Sequence, residues 1–517
     1  MAIAAKNKSQ NTKKTPFAHS ACEFIKNNKI FVLILLASTI YFCTQHFLTL
    51  SWDFSAYVLN AKYFLGQGAY FEPFRPPLAP ALIGILSIFG WKSAEYIYII
   101  IVSVFFAYSS HKLAKALSVN PTLFYALLLT PFALAQGMLA GTELLSLALL
   151  ELGIAYALNK KPLSGLALGA GMLTRYQMAM FTPIFLLDRN KKRFLLNIGL
   201  FFVTLAPWFI YNYIKYGNFL TSIADQYALN VLNRADIIQP AQIGHLLAAQ
   251  GIFLPLMIIG IILCAVMLRE KAERESKLPE FLVMIYVLAV TIYGYIASPL
   301  KDPRYLFLTI LPAAYFSIKT IEWAVLKFIS GRNRLHKTQP EKVFLGIALI
   351  VLFAGIIFAV QDFKNLENRT ALISEAAQNI NSLGLGECKL SSSAWVLLNY
   401  EGINALTLPK HGNLERTINL GAVALIFYDD NDPTYPLDEN YLNNLPTLFR
   451  GEGYVLFGTR TCMKNTELLD KTFLEIEEGQ MKLLNGTGIE TEACKVIFQK
   501  NEILQKICLL FNGKTTN

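Results

Sequence analysis

Eight ionisable side chains sit where long apolar runs of this sequence end, and they carry most of the chemistry it offers. Asp53 follows the first apolar run, and Glu72 and Arg75 lie just beyond it. Glu143 opens a later run, and Arg175 separates two short ones. Lys301, Asp302 and Arg304 stand together before another. Carboxylates accept protons and cations, whereas guanidinium and ammonium groups hold anions. Ionisable groups near membrane level are expensive, so their default reading is functional. Acids and bases gathered on one rim of a helix bundle imply an active or binding site on that face.

The elements that must position these residues follow from composition. Of 517 residues, 54% are hydrophobic and only 16% charged, and mean hydropathy is +0.41. Soluble domains carry about 25% charge, so a single soluble domain and a disordered chain are both excluded. A spanning helix needs about 20 apolar residues. The first such run is 30–49, with no small-residue cleavage site after it. Its flank holds Lys6, Lys8, Lys13, Lys14, Lys26 and Lys29 against Glu23 alone, which places the N-terminus in the cytoplasm. Further runs lie near 94–110, 121–139, 142–159, 162–174, 176–188, 194–213, 243–268, 280–299, 303–329 and 343–361. The pair 162–174 and 176–188 reads either as two tight passes or as one re-entrant hairpin, and the short run 77–90 is left open. Five basic clusters, around Lys112, Lys160, Arg193, Arg269 and Arg332, fall on the cytoplasmic side if 77–90 does not cross and 162–188 crosses twice. About eleven passes result, with the C-terminus outside. The formal charge of +10 is then a topology signal of a multi-pass cell-membrane protein, and no nucleic-acid partner is expected.

The chain divides into a basic cytoplasmic tail (1–29), a membrane domain (30–362) with an outer loop (50–76), and a soluble extracytoplasmic part (363–517). In the last part, short apolar runs (CKLSS, INALTL, AVALIFY, YVLFG, KVIFQ) alternate with helix-like stretches, predicting an α/β domain with a small sheet. It holds no glycine-rich nucleotide motif. Asn368 and Asn485 are glycosylation sequons. Cys388, Cys462, Cys494 and Cys508 form one or two disulfides if this part is extracytoplasmic, or stay as thiols. No Cys/His spacing suits zinc.

The first outer loop is the most informative segment. Phe54, Tyr57, Val58, Ala61 and Phe64 share one face of a helix over 53–65, which Gly66 and Gly68 end. Such a helix suits the membrane interface, with Asp53 at its N-terminal end. Asp is also a good N-cap, and spacing alone leaves that alternative open.

These residues resemble the GT-C glycosyltransferases, most of all the protein O-mannosyltransferase and aminoarabinose transferase branch. The matching pieces are Asp53, Tyr57, Ala61, Gly68 and Arg75-Pro76-Pro77-Leu78; then Gly141-Thr142-Glu143; then Gly165 with Leu173-Thr174-Arg175. Pro207-Trp208, Asn212, Gly217 and Lys301-Asp302-Pro303-Arg304-Tyr305 follow. They keep the family's order across 53–305. Departures are Phe54 where many relatives carry Glu, Arg75 and Arg175 where Lys is common, and Glu143 where Asp is common.

The resemblance implies a polytopic helical GT-C-like fold. It also implies an inverting transfer of a sugar, a mannose-like hexose first, from a polyprenyl or dolichyl phosphate. The acceptor is a hydroxyl of a protein, lipid or glycan on the outer face. A hydroxyl needs a general base, and the resemblance gives that role to Asp53, with Glu143 orienting acceptor or sugar. The leaving lipid phosphate needs cations, and Arg304, Lys301, Arg175 and Arg75 are the candidates. Tyr57 and Trp208 would stack on sugar or lipid and Asn212 would hydrogen-bond sugar hydroxyls; their plain alternatives are interfacial anchors and a loop residue. No cofactor is required. A divalent ion between Asp53 and Glu143 stays open, since some relatives bind one and others do not.

Two other classes compete. A transporter or flippase for lipid-linked sugars would show internal repeats and midplane charge, and neither is visible. A scaffold with a ligand-binding outer domain would tolerate changes at Asp53 and Arg304. The topology is checked by labelling cysteines introduced at positions 92, 117 and 160. Position 92 is expected to react from the outer side and positions 117 and 160 from the cytoplasm.

Overall fold

A computed structural model describes residues 25–188, 190–232, 239–330, 340–361, 363–409, 411–428, 439–459, 462 and 467–475. In the membrane part the helices are α1 (Lys29–Leu48), α2 (Trp52–Phe64), α3 (Leu78–Leu86), α4 (Trp91–Ala116), α5 (Pro121–Leu128), α6 (Pro131–Gly137), α7 (Glu143–Leu158) and α8 (Ser164–Thr174). A 3-10 segment, Tyr176–Leu187, comes next. Then follow α9 (Lys191–Tyr216), α10 (Thr221–Tyr227), α11 (Ile243–Gln250), α12 (Phe253–Met267) and α13 (Lys271–Ala297). A second 3-10 segment, Pro303–Thr309, leads into α14 (Ile310–Ser330) and α15 (Pro340–Val360).

The expected passes are not all straight helices. Among the described residues, five helices are long and apolar enough to cross a membrane: α1, α4, α9, Lys277–Ala297 of α13 and Lys342–Val360 of α15. The run 243–268 is not one rod. It bends by 87° between α11 and α12, at Gly251, whose φ of +51° few side chains tolerate. The run 121–139 breaks at Pro131, with Thr130 capping the new helix through its hydroxyl. Residues 176–187 wind as a 3-10 helix containing Pro183. Residues 78–89 form a short apolar helical segment. Large apolar side chains such as Ile40, Phe47, Val203 and Ile350 face outward, as lipid-facing surfaces require.

Packing in lipid depends on close approach and polar contacts rather than on a hydrophobic drive. A Cβ at Gly165 would overlap the Asn197 carbonyl, and one at Gly260 would overlap that of Phe316. These two glycines set how closely α8 meets α9 and α12 meets α14. Asn197 Oδ1 also accepts the Gly165 amide at 3.0 Å. Two buried acids join helices. Glu151 accepts from Ser109 at 3.1 Å and Ser110 at 2.8 Å. Glu280 meets Lys277 and Tyr315, each at 3.1 Å.

Beyond the bundle lie α16 (Phe363–Ser382), β1 (Leu390–Ser392), α17 (Trp395–Tyr400), β2 (Ala405–Thr407), α18 (His411–Asn419), β3 (Val423–Phe427), α19 (Glu439–Asn443), β4 (Thr447–Arg450) and β5 (Tyr454–Phe457). They build the small sheet, in the order β2-β1-β3-β5-β4. β1 runs parallel to β2 and β3, while β5 is antiparallel to β3 and β4. Four of the five apolar runs become β1, β2, β3 and β5, and KVIFQ lies outside the described residues. Cys388 and Cys462 form a disulfide. Cys494, Cys508 and Asn485 also fall outside the described residues, and Asn368 lies on α16.

This domain sits on the bundle through α17. Trp395 packs edge-on to Trp52, ring centres 4.5 Å apart, and Val396 packs with Ala56 and Leu59. The Tyr400 hydroxyl meets both oxygens of buried Glu95, at 2.9 and 2.8 Å. His46 contacts the same carboxylate at 2.7 Å, and Lys92 donates to Tyr400 at 2.6 Å. Consequently α2 does not lie open at an interface. Residues 54–61 are all buried, because α17 covers the face that amphipathic spacing had left to solvent. Overpacking costs about 1–3 kcal/mol. Gly165→Ala and Gly260→Ala are therefore expected to lower the melting temperature of detergent-solubilised protein. Gly199→Ala, with nothing within 4 Å of the added methyl, is expected not to.

Candidate active site

Asp53 is the second residue of α2. The cap position is Ser51, and no side chain bonds the free amides there. The capping alternative therefore fails, and the carboxylate faces two arginines instead. Oδ1 accepts Arg75 NH1 at 2.8 Å, and Oδ2 accepts Arg304 NH1. Arg304 is aimed by its own neighbours. Asp302 caps the 3-10 turn, accepting the Arg304 amide at 2.9 Å, and Pro303 occupies the first position, where no amide is needed. Arg304 Nε lies 2.8 Å from Asp302 Oδ2, yet it is buried with no aligned acceptor.

Arg75 is held more tightly. Its Nε donates to Glu72 Oε2, and its guanidinium lies 5.2 Å over the Tyr57 ring. Asn60, one helical turn beyond Tyr57, clamps Glu72 by the backbone. It accepts the Glu72 amide at 2.9 Å and donates to the Glu72 carbonyl at 3.0 Å. One face of α2 thus carries the carboxylate, the aromatic support and the anchor of the arginine loop.

The second ion pair joins Glu143, the first residue of α7, to Arg175 NH1. Thr142 also donates to Glu143, at 3.4 Å. Arg175 sits in extended backbone, φ −151° and ψ 118°, and that break between α8 and the 3-10 segment aims it inward. Gly141 before the pair has φ +81°, and Phe54 fills the space where a Cβ would go. Tyr98 donates to the Gly141 carbonyl at 2.6 Å. Tyr57 lies in the field of both pairs.

Burial would push the Asp53 carboxyl up, but Arg304 and Arg75 outweigh it and hold the group below the usual carboxylate range. Burial would likewise lower Arg75, and Glu72 and Asp53 reverse that, so it stays fully charged. Burial pushes the Tyr57 hydroxyl up, which keeps it a donor.

Three expected residues lie apart from the ion pairs. Lys301 Nζ donates to the Ile296 carbonyl at 3.0 Å and to that of Ser298, satisfying the end of α13. Asn212 is buried, accepting Ser222 at 2.8 Å and donating to the Phe219 carbonyl at 3.4 Å. It ties the connection after α9. Trp208 donates to Tyr176 at 2.9 Å and stacks on Tyr211 at 5.0 Å. Glu72 and Asp302 were visible as rim charges, but their roles as arginine holders were not. Asn60 and Tyr98 gave no signal, since only the fold brings them here. No group of three or more His, Cys, Asp or Glu residues able to hold a metal occurs among the described residues.

The architecture is the GT-C glycosyltransferase fold. The structure of ArnT from Cupriavidus metallidurans bound to undecaprenyl phosphate superposes with a TM-score of 0.54 at 13% identity, covering 82% of this chain and 97% of that one. Apo ArnT from the same organism gives 0.54 at 10% identity, covering 85% and 98%. Archaeal oligosaccharyltransferase AglB from Archaeoglobus fulgidus, in complex with an inhibitory peptide and a dolichol-phosphate, gives 0.46 at 10% identity, covering 78% and 70%. No protein-family model matches the sequence, and no curated protein sequence does either.

A depressed carboxyl stabilises the fold above its unfolded pKa and loses that contribution as pH falls through the folded value. For Asp53 the loss comes only in strong acid. In Arg75→Gln/Arg304→Gln the burial effect is unopposed, the carboxyl rises above its unfolded value, and folding takes up a proton. Melting temperature in that variant is expected to rise as pH drops from about 7 to 5, and adding Asp53→Asn is expected to flatten the rise.

Proposed function

We propose that this chain is an inverting glycosyltransferase that moves a sugar, a mannose-like hexose first, from a polyprenyl phosphate to a hydroxyl on the outer face of the cell membrane. The observation that carries the reading is the Asp53 carboxylate shared between Arg75 and Arg304, on a fold whose ArnT neighbour was solved bound to undecaprenyl phosphate. The N-terminus is cytoplasmic in this reading. The membrane domain ends near residue 362, and 363–517 lies outside, as the Cys388–Cys462 disulfide favours.

Charge balance suggests how donor and base cooperate. Arg75, Arg175 and Arg304 already face Asp53, Glu72, Glu143 and Asp302. An incoming phosphodiester adds one more negative charge and must take a guanidinium from a carboxylate. Arg304 is the accessible one, its side chain 32% exposed against 10% for Arg75, and its buried Nε still lacks an aligned acceptor. Phosphate bound to Arg304 releases Asp53 Oδ2, while Arg75 keeps Oδ1 in place. The freed carboxylate becomes more basic as its partner leaves, which a general base requires.

The acceptor oxygen then attacks the anomeric carbon from the side opposite the phosphate. The carbon–oxygen bond to phosphate breaks, its electron pair stays on the phosphate, and the acceptor proton passes to Asp53. Arg304, with Arg175 behind it, stabilises the leaving charge. Glu143 is committed to Arg175 and orients rather than abstracts. Tyr57 supports Arg75, and Trp208 braces Tyr176, the residue after Arg175. Lys301 and Asn212 serve as braces of the rim.

The test uses purified protein in lipid with polyprenyl-phosphate sugars, mannose first, and follows release of free polyprenyl phosphate. Wild type is expected to release it. Asp53→Asn and Arg304→Ala are each expected to lose at least about 100-fold. Release that survives Asp53→Asn would move the base elsewhere, and no release with any donor would overturn the reading.

A further inference from the structure

The outer domain reaches the catalytic carboxylate through an unbroken line of hydrogen bonds. Trp395 Nε1, on α17, donates to the Tyr70 hydroxyl at 3.2 Å. Tyr70 donates to Glu72 Oε1. The other oxygen of Glu72 accepts Arg75 Nε, and Arg75 NH1 donates to Asp53 at 2.8 Å. Each link has one orientation. The indole has only a hydrogen to give, so Tyr70 must accept it and pass its own hydrogen on. Burial and the adjoining Glu72 carboxylate push the Tyr70 hydroxyl up, so the proton stays on the phenol. A glutamate that receives Tyr70 on one oxygen presents the other to Arg75 in a fixed direction.

From this geometry we infer that Trp395, Tyr70 and Glu72 are positioning residues for Arg75, so that seating of the outer domain sets the orientation of the guanidinium at Asp53. The domain is then part of the machinery of transfer and not only a site for recognising acceptors. Two observations stand behind the line. Trp395 is itself fixed by its edge-on contact with Trp52, the residue before Asp53. Asn60 holds the Glu72 backbone from α2, so a change at Tyr70 is transmitted to the carboxylate of Glu72 rather than absorbed by the loop. The reacting groups remain Asp53, Arg75 and Arg304; the relay acts only through Arg75, and this inference rests on the transferase reading above.

The test is a double-mutant cycle. Trp395→Phe keeps the apolar ring and removes the donor, and Tyr70→Phe removes the hydroxyl. Donor turnover in each is expected to fall about tenfold, because small misplacements of a positioned group cost that much or more. In an Arg75→Gln background neither substitution is expected to change the remaining rate by more than about twofold, since the relay has no other exit. A general loosening of the domain would lower the rate in both backgrounds, and that result overturns the proposal. The same cycle read by thermal unfolding needs neither donor nor turnover. A coupled unfolding cycle in a protein that turns over no donor overturns the transferase reading and keeps the relay. An additive cycle in an active protein does the reverse.

Discussion

One carboxylate shared between two arginines ties together parts of the chain that are 251 residues apart in sequence. Asp53 belongs to the helix after the first span, Arg75 to the loop behind it, and Arg304 to the turn that begins α14. Three charges at the edge of a membrane bundle are costly unless each finds a partner. The rest of the rim can be understood as meeting that demand. Glu72 and Asp302 each attend one arginine, Tyr57 lies under Arg75, and Glu143 with Arg175 forms a second pair alongside. Removing one member would leave a buried charge unmatched, so the cluster constrains the register of α2, the loop and α14 together.

The bundle achieves this by breaking its helices where the site requires direction. Arg175 stands at a break between two helical segments, Arg304 in a 3-10 turn, and Glu143 behind a left-handed glycine. A straight span would project these side chains around its circumference. A terminus aims them along the axis, toward the rim. Close helix contacts at Gly165 and Gly260 supply the stiffness that such interruptions remove.

Much of the candidate site is legible in the sequence because a membrane setting makes rim charges conspicuous. Asp53, Arg75, Glu143, Arg175 and Arg304 stand out against apolar surroundings, and they meet as one carboxylate between two arginines with one ion pair alongside. Residue type does not give direction, which is why Lys301 and Asn212 read as ligands of phosphate and sugar, whereas Lys301 is engaged by nearby carbonyls and Asn212 by the Phe219 carbonyl and the Ser222 hydroxyl. Hydropathy is equally blind to a bend. Residues 243–268 hold no formally charged side chain and only His245 and Gln250 as strongly polar ones, yet the chain turns at Gly251, with its positive φ. β4 gives no sequence signal because it is a short, half-exposed edge strand without alternation. Trp395, Tyr70 and Asn60 carry no local signal, since their partners come from distant or irregular segments.

The Cys388–Cys462 bridge bears on how this protein is made and handled. It encloses β1 through β5 in a span of 74 residues, and in the chain-entropy view such a closure is worth about 4 kcal/mol. Reductant in a purification buffer, or synthesis in a thiol-reducing compartment, withdraws that constraint from the domain that carries α17. A preparation can then keep its detergent-embedded helices and its far-ultraviolet signal while the domain above them is loosened, so thiol content belongs beside melting temperature as a measure of sample quality.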